Sequence, residues 1–350
     1  MRILTINTGS SSIKAAVYAL GAEAGLARES AAEAKSLGDP AAFAAALPGL
    51  LPPRAPDAIG HRIVAPLDWS QPQRLDAARL QELRARAGLA PDHLPQALAA
   101  MEALARTYPG VAQVACSDSA FHRSLPAAAR TFALPRALQA EGVVRYGYHG
   151  LSCEYILSVL RAEDERRANG RIVIAHLGHG ASLTAVHHGA SMDTTMGFTP
   201  LGGVPMSTRS GDLDPGILLY LLRQKAMAPE ALSRMLNQES GLLGVSGISG
   251  DMKTLVERSA REPAAAAAVE IFVYQVRKAV GALAAALGGL DLLVFTGGIG
   301  ENAAAVRERI ARGLEWIPMQ VRVIPTDEDQ MIARHTARAL ADDPAGQRKF

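Results

Sequence analysis

Arg2-Ile3-Leu4-Thr5-Ile6-Asn7-Thr8-Gly9-Ser10-Ser11-Ser12-Ile13-Lys14-Ala15-Ala16-Val17-Tyr18 reads as two apolar strands joined by a polar turn. Arg2–Ile6 and Ile13–Tyr18 are strand-like, and Asn7–Ser12 is turn chemistry. The pattern returns downstream: Arg171–Ala175 is an apolar run, His176–Ser182 a Gly/Ser turn and Leu183–Val186 a second strand. One such hairpin early in each half suggests an internal duplication, although any two hairpins share this much. A third glycine turn differs. Leu292–Phe295 is a short buried-type strand, Thr296-Gly297-Gly298-Ile299-Gly300-Glu301-Asn302 follows, and Ala303–Leu314 reads as a helix. Free N–H groups at such a junction favour anions. Leu75–Ala87 and Gln96–Thr107 have helical spacing, Asp214-Pro215 is a helix start, and Pro263–Leu287 is a long Ala-rich helix. Strands alternate with helices, so the class is α/β.

The chain has 350 residues, which suits two domains, and the glycines at 142, 147 and 150 mark a change near residues 143–150. Lys+Arg at 36 against Asp+Glu at 34 leaves +2, with no basic stripe, so a nucleic-acid partner is not expected. Two cysteines, Cys116 and Cys153, exclude a disulfide scaffold and a paired-cysteine metal site. The N-terminus is not a signal peptide. The apolar stretch Ala279–Phe295 is broken by glycines and Asp291, so no membrane span is expected either. The expected location is the cytoplasm.

Each motif has a bland alternative. Asn7–Lys14 lacks the Walker A spacing, yet its glycine, hydroxyls and Lys14 suit a phosphate as well as an ordinary hairpin turn. Arg62 in the strand Gly60–Val64 is a surface residue or a carboxylate ligand. Asp118, after the apolar stretch Val111–Cys116, is a helix cap or a catalytic group at a strand end. His149 lies among aromatics and glycines, Arg209 in a Gly/Ser loop, and Ser246–Asp251 is a linker or a ribose- or base-facing turn. Three glycine turns, two arginines, a histidine and an aspartate together match phosphoryl transfer, where positioning and charge neutralisation dominate.

In that order and with that spacing, these segments resemble the acetate kinase family, within the actin/hexokinase-like ATPase superfamily. The resemblance runs from about Arg2 to Arg334. It rests on N-T-G-S-S-S-I-K (7–14), G-H-R-I-V (60–64), S-D-S-A-F-H (117–122), Y-G-Y-H-G (146–150), H-L-G-H-G (176–180), M-G-F-T-P-L (196–201), T-R-S-G-D-L-D-P-G (208–216), G-V-S-G-I-S-G-D (244–251), T-G-G-I-G-E-N (296–302) and P-T-D-E (325–328). It implies two duplicated ribonuclease-H-like domains, an actin-like ATPase fold with an interdomain nucleotide cleft. The expected division is 1–146 and 147–326, with a C-terminal helix, about 327–350, packed back on the first domain.

The resemblance also implies roles. Asn7 and Glu328 match positions that hold Mg²⁺ through its hydration shell, with Mn²⁺ as a substitute. Ser10, Ser12 and Lys14 match the first phosphate hairpin. His176, Leu177, Gly178, His179 and Gly180 match nucleotide-binding segments, as do Asp251, Met252, Lys253, Gly298, Ile299, Gly300, Glu301 and Asn302. Arg62 matches the residue gripping the substrate carboxylate, and Val64, Tyr148 and Pro200 line the acyl pocket. Asp118 matches the catalytic aspartate, and His149 and Arg209 the transition-state stabilisers. The implied reaction is ATP + acetate ⇌ ADP + acetyl phosphate, by direct in-line attack, in a homodimer.

Three segments depart from the family pattern. His179 stands where asparagine is usual, Ala65-Pro66-Leu67 replaces His-Gly-Gly, and Asp92 falls where an apolar residue faces the acetate methyl. The chain is also shorter than typical members in Tyr18–Ile59 and Ala303–Val323. The alternatives are a kinase for a longer or substituted short acid such as propionate, a kinase for a hydroxyl acceptor, or a non-catalytic nucleotide-binding paralogue.

Overall fold

A computed structural model describes residues 1–9, 12–21, 25–35, 45, 47–91 and 93–342. The chain divides into two compact units. The first comprises Met1–Arg123, Tyr148–Tyr155 and the chain from Asp327, and the second comprises Ser124–Gly147 and Ile156–Thr326.

The first unit is built on β1 (Arg2–Thr8), β2 (Ser12–Gly21), β3 (Gly25–Lys35), β4 (Ala58–Ile63), β5 (Gln73–Arg74) and β6 (Ala112–Ser117). They lie in the order β3-β2-β1-β4-β6-β5. The meander β1–β2–β3 is antiparallel, and β1, β4 and β6 are parallel neighbours. Both faces are covered, so β1 and β4 are buried almost throughout, their polar residues included. Leu4, Ile6, Ile13, Ala15 and Val17 pack with Ala100 and Leu104 of the helix Leu94–Thr107. The alternate residues Ile3, Ala16, Tyr18 and Ala58 pack with Ala333 of the helix Glu328–Ala341. Each large apolar side chain fully buried this way contributes about 1.5–3 kcal/mol. Gly60 lets that last helix approach β4: a Cβ there would lie 2.2 Å from Thr336 Oγ1 and 2.7 Å from Ile332 Cγ2.

The second unit is built on β7 (Ile172–Leu177), β8 (Ala181–His187), β9 (Ala190–Thr194), β10 (Leu292–Thr296) and β11 (Gln320–Val323), in the order β11-β10-β7-β8-β9. Again β7–β8–β9 is an antiparallel meander, and β10 and β11 follow in parallel beside β7. Reversed, the list reads β9-β8-β7-β10-β11, which is the order and sense of β3-β2-β1-β4-β6. The duplication is therefore one of topology and not merely of two similar turns.

Pro263–Leu287 is a single helix that buries Val269, Phe272, Val273, Val276 and Val280 and packs against β8 and β9. Asp214 caps Pro215–Arg223 by accepting from Gly216 N at 2.7 Å. Three boundaries differ from the sequence expectation. The helix expected at 75–87 spans Ala77–Ala85, because Asp76 accepts from Arg79 N at 2.7 Å and fixes its start. The helix expected from Gln96 begins at Leu94, since Pro95 is compatible with the first turn. Gly297–Asn302 is itself helical, with a further helix at Ala304–Arg312. Among the described residues no helix is long and apolar enough to cross a membrane.

Candidate functional site

Parallel strands bring their C-terminal ends to one edge, where α/β folds collect functional groups. In the first unit that edge carries Asn7 in β1, Arg62 in β4 and Asp118 just past β6. Arg62 is 9% exposed and Asp118 fully buried. The Arg62 Nη2 donates to Asp118 Oδ2 at 2.8 Å, and its Nη1 donates to Asn7 Oδ1 at 3.2 Å. The same Nη1 pairs with Glu328 Oε2 at 3.0 Å. Asn7 Nδ2 donates to that oxygen as well, at 3.0 Å. Glu328 reaches the cluster because Asp327 caps its helix, accepting from Gln330 N at 2.9 Å, and the helix packs on β1 and β4. Burial by itself would favour a neutral guanidine. Asp118 and then Glu328 outweigh it and hold Arg62 more firmly charged than usual.

Asp118 is not a helix cap. Its Oδ2 also accepts from His149 N at 2.9 Å, and His149 sits at φ +59°, a left-handed conformation rare outside glycine. Two buried atoms in this cluster have no partner, Arg62 Nε and Asp118 Oδ1. Orphaned buried polar atoms are uncommon, and here one is a donor and the other an acceptor. Val64 and Tyr148 are buried in the segments that carry Arg62 and His149. Lys14 is exposed on β2, paired in register with Asn7, and Ser12 opens β2. Ser10 and Asp92 lie outside the described residues.

Asp329 belongs with this group and escaped the sequence reading. Its Oδ1 is buried without a partner. Burial, then the neighbouring Glu328 charge, push its carboxyl up to about 6, against the pull of the Asn7 amide and of Lys14. The run Asp327-Glu328-Asp329 reads locally as ordinary acidic decoration of a helix start. Among the described residues no cluster of three or more His, Cys, Asp or Glu forms a metal cage. A hydrated Mg²⁺ needs only one or two carboxylates beside its waters and phosphate oxygens. The oxygen donors of Asn7 and Glu328, with the orphaned Asp329 oxygen next to them, fit such an ion.

The second unit carries a cavity of about 780 Å³. Its wall includes Gly178 and His179 from the β7–β8 turn, Asp251, Met252 and Lys253, and Gly298, Ile299 and Asn302. The same wall carries Ser207, Thr208, Val256, Glu257 and the run Ala303–Val306, to which the sequence assigned no binding role, and Gly250, which lies in the turn Ser246–Asp251. Ala303–Val306 are small apolar residues with no chemical signature, and only the packing of the helix Ala304–Arg312 reveals them. Thr254 holds Asp251 below the usual carboxylate range, because its hydroxyl (2.7 Å) and its N–H (2.9 Å) both donate to Asp251 Oδ2.

His176, Leu177, Gly180, Gly300 and Glu301 were expected here but are not on the wall. Leu177 is core. Glu301 turns into its own loop and accepts from Gly297 N at 3.0 Å and Thr326 N at 3.2 Å. Arg209 is 5% exposed and donates to the Pro200 carbonyl at 3.2 Å, so Pro200 positions it. His179 is open to the cavity yet surrounded by protein. Burial, followed by the Arg209 charge, keeps its pKa below the ordinary histidine value.

The acetokinase family model matches residues 54–323. The acetate kinase of Rhodopseudomonas palustris (strain TIE-1) is 46% identical over 310 residues, covering 81% of this chain and 77% of that protein. Among solved structures, the acetate kinase of Porphyromonas gingivalis is 30% identical with a TM-score of 0.81, covering 97% of this chain and 99% of that one. A propionate kinase from Francisella tularensis subsp. tularensis SCHU S4 is also 30% identical, with a TM-score of 0.83, over 96% and 99%.

Proposed function

The chain belongs to the acetokinase family, and on that footing we propose that it transfers the γ-phosphoryl group of ATP reversibly to acetate, giving acetyl phosphate and ADP by direct in-line transfer. It is a phosphotransferase with a carboxyl acceptor and an actin-like ATPase fold. The observation that carries the mechanism is Arg62, a buried cation fixed between Asp118 and Glu328 with its Nε unfilled. A carboxylate is already ionised at pH 7, so no base is needed to make the nucleophile. The difficulty is bringing two anions together, and buried cations and donors answer it.

In this reading Arg62 grips the acetate carboxylate, and Val64, Tyr148 and Pro200 line the acyl pocket. Asp118 orients Arg62 and deprotonates nothing. His149 and Arg209 stabilise the charge on the transferring phosphoryl group. Ser10, Ser12 and Lys14 serve the phosphates. The cavity of the second unit takes the nucleotide, with His179, Lys253, Gly298 and Asn302 on its wall. Asn7 and Glu328, beside Asp329, would hold Mg²⁺, or Mn²⁺ as a substitute, which would neutralise phosphate charge.

The reading includes a homodimer and a cytoplasmic setting. Supporting the first, Pro215–Arg223 exposes Ile217, Leu219, Tyr220 and Leu222, an apolar run of the kind that marks interfaces. Light scattering at twice 36.8 kDa is the expected result. Supporting the second, Cys116 and Cys153 are both buried and joined by no disulfide.

A hydroxylamine trap with Mg-ATP and a panel of acids tests the function. Turnover led by acetate is expected, and turnover led by propionate or a substituted acid moves the assignment to that acid. Normal ATP binding with no turnover on any acid overturns it in favour of a non-catalytic paralogue.

A further inference from the structure

One peptide group in the first unit is held at both ends. The Tyr148 carbonyl lies 2.9 Å from His122 Nε2, and the His149 N–H on the same peptide donates to Asp118 Oδ2 at 2.9 Å. A carbonyl only accepts, so His122 Nε2 is the donor. The peptide is planar, so fixing its oxygen and its N–H fixes the plane from which φ of His149 is measured. That φ is +59°, a conformation that persists only where the surroundings over-determine it. The next N–H, of Gly150, donates to the Asp118 carbonyl at 2.8 Å. A Cβ on Gly150 would sit 2.4 Å from that oxygen and 2.9 Å from Phe121 Cβ, so the two segments are pressed together. His122 is 2% exposed, lies in the 3-10 turn Ala120–Ser124 and packs edge-on against Phe121.

We propose that His122 is a positioning residue for the reaction: through the Tyr148–His149 peptide it holds His149 in its left-handed conformation and keeps the second donor on Asp118 Oδ2. The proposal rests on the roles assigned above to Asp118 and His149. Without the His122 bond the peptide is held at one end only, by its N–H on Asp118 Oδ2, and its plane can turn about that bond. The imidazole of His149 then loses its aim, and the hydrogen bond to Asp118 Oδ2 weakens.

The test compares His122→Leu, which removes the donor, with His122→Gln, whose amide nitrogen reaches as far as Nε2. In His122→Leu, kcat for acyl phosphate formation falls about 10- to 100-fold, as expected for a displaced catalytic group, while the KM for ATP stays within about twofold. His122→Gln recovers most of that loss. A melting curve accompanies each variant. Lower Tm with unchanged kcat per folded enzyme, or equal kcat loss in both variants, overturns the proposal. The geometry is also read without activity, by ¹⁵N-histidine labelling of the nine histidines. The His149 amide loses its protection from hydrogen exchange in His122→Leu, and unchanged protection overturns the inference. Failure of the parent enzyme to make any acyl phosphate overturns the functional reading instead, and the exchange measurement still decides the role of His122.

Discussion

Asp118 and Ile324 occupy the same place in two copies of one sheet. Each follows the last residue of a parallel strand by one position, and each donates its backbone N–H to the neighbouring strand. Asp118 N donates to Ile63 O at 2.8 Å, and Ile324 N to Phe295 O at 3.1 Å. In the first unit that position, beside Arg62, builds a buried ion cluster with Glu328. In the second it holds a buried isoleucine beside Phe295 of β10. There, polar work moves to backbone turns around a cavity, with Gly178, Gly250 and Gly298 on its wall. Topology therefore supplies the platform and does not choose the chemistry. A carboxylate that must be gripped needs fixed charges, and a nucleotide needs room, an apolar wall and close backbone.

The difference is broken most severely at Arg62. Arg62→Ala leaves Asp118 and Glu328 buried without their cation, which costs about 3–5 kcal/mol of stability in urea unfolding. It should also lower kcat/KM for acetate by about 10³-fold or more. Nucleotide affinity, which the proposal assigns to the other unit, should barely move in calorimetry. Comparable loss of nucleotide affinity would mean that the two chemistries are not separable in this way.

Next comes Gly60. Gly60→Ala drives a methyl into Thr336 and Ile332, and the overpacking should destabilise by about 1–3 kcal/mol. Because the same helix delivers Glu328, the metal concentration needed for half-maximal activity should rise as well. A lower Tm without that rise would detach the helix packing from the metal position.

In the second unit the contrast sharpens at two adjacent glycines. Gly298 has open space where a Cβ would go, so Gly298→Ala should melt like the parent but raise the KM for ATP about tenfold by crowding the cavity. Gly297 has φ +77° and a Cβ position 2.9 Å from Leu177 O, so Gly297→Ala should lose stability first. Equal behaviour of the pair would show that the cavity wall at 298 does not meet nucleotide.

The smallest effect belongs to His179, held neutral at pH 7 by burial and Arg209. A nucleotide phosphate favours its protonated form. ADP affinity should therefore rise as pH falls through the histidine's pKa, by about 1 kcal/mol or about fivefold for one such charge pair. The comparison with His179→Asn removes the nucleotide's own titration. Identical pH profiles for the two proteins would remove His179 from phosphate binding.

Local signals made part of this molecule legible. Pro263 and Gly288 bracket a helix that runs from 263 to 287, Asp214-Pro215 announces another, and both hairpins stand where alternation and glycine place them. Most of the charged candidates were visible too, because Arg62, Asp118, His149 and Arg209 are unusual in their apolar or glycine-rich settings. Asp329, His122 and the wall Ala303–Val306 were not, since each looks ordinary among its neighbours. What sets them apart is what the chain brings against them. Asn7 meets Glu328 across 321 residues of sequence. The orphaned oxygen of Asp329 arises from packing of that range, and the pinned peptide at His149 from contacts 26 and 31 residues apart. The sequence by itself determined the two hairpins, the positions of several helices and the inventory of charges, because propensity and alternation act within a few residues. Tertiary structure alone decided which charges share one buried cluster and which atoms are left unpaired there, because burial and Coulomb pairing depend on distance in space.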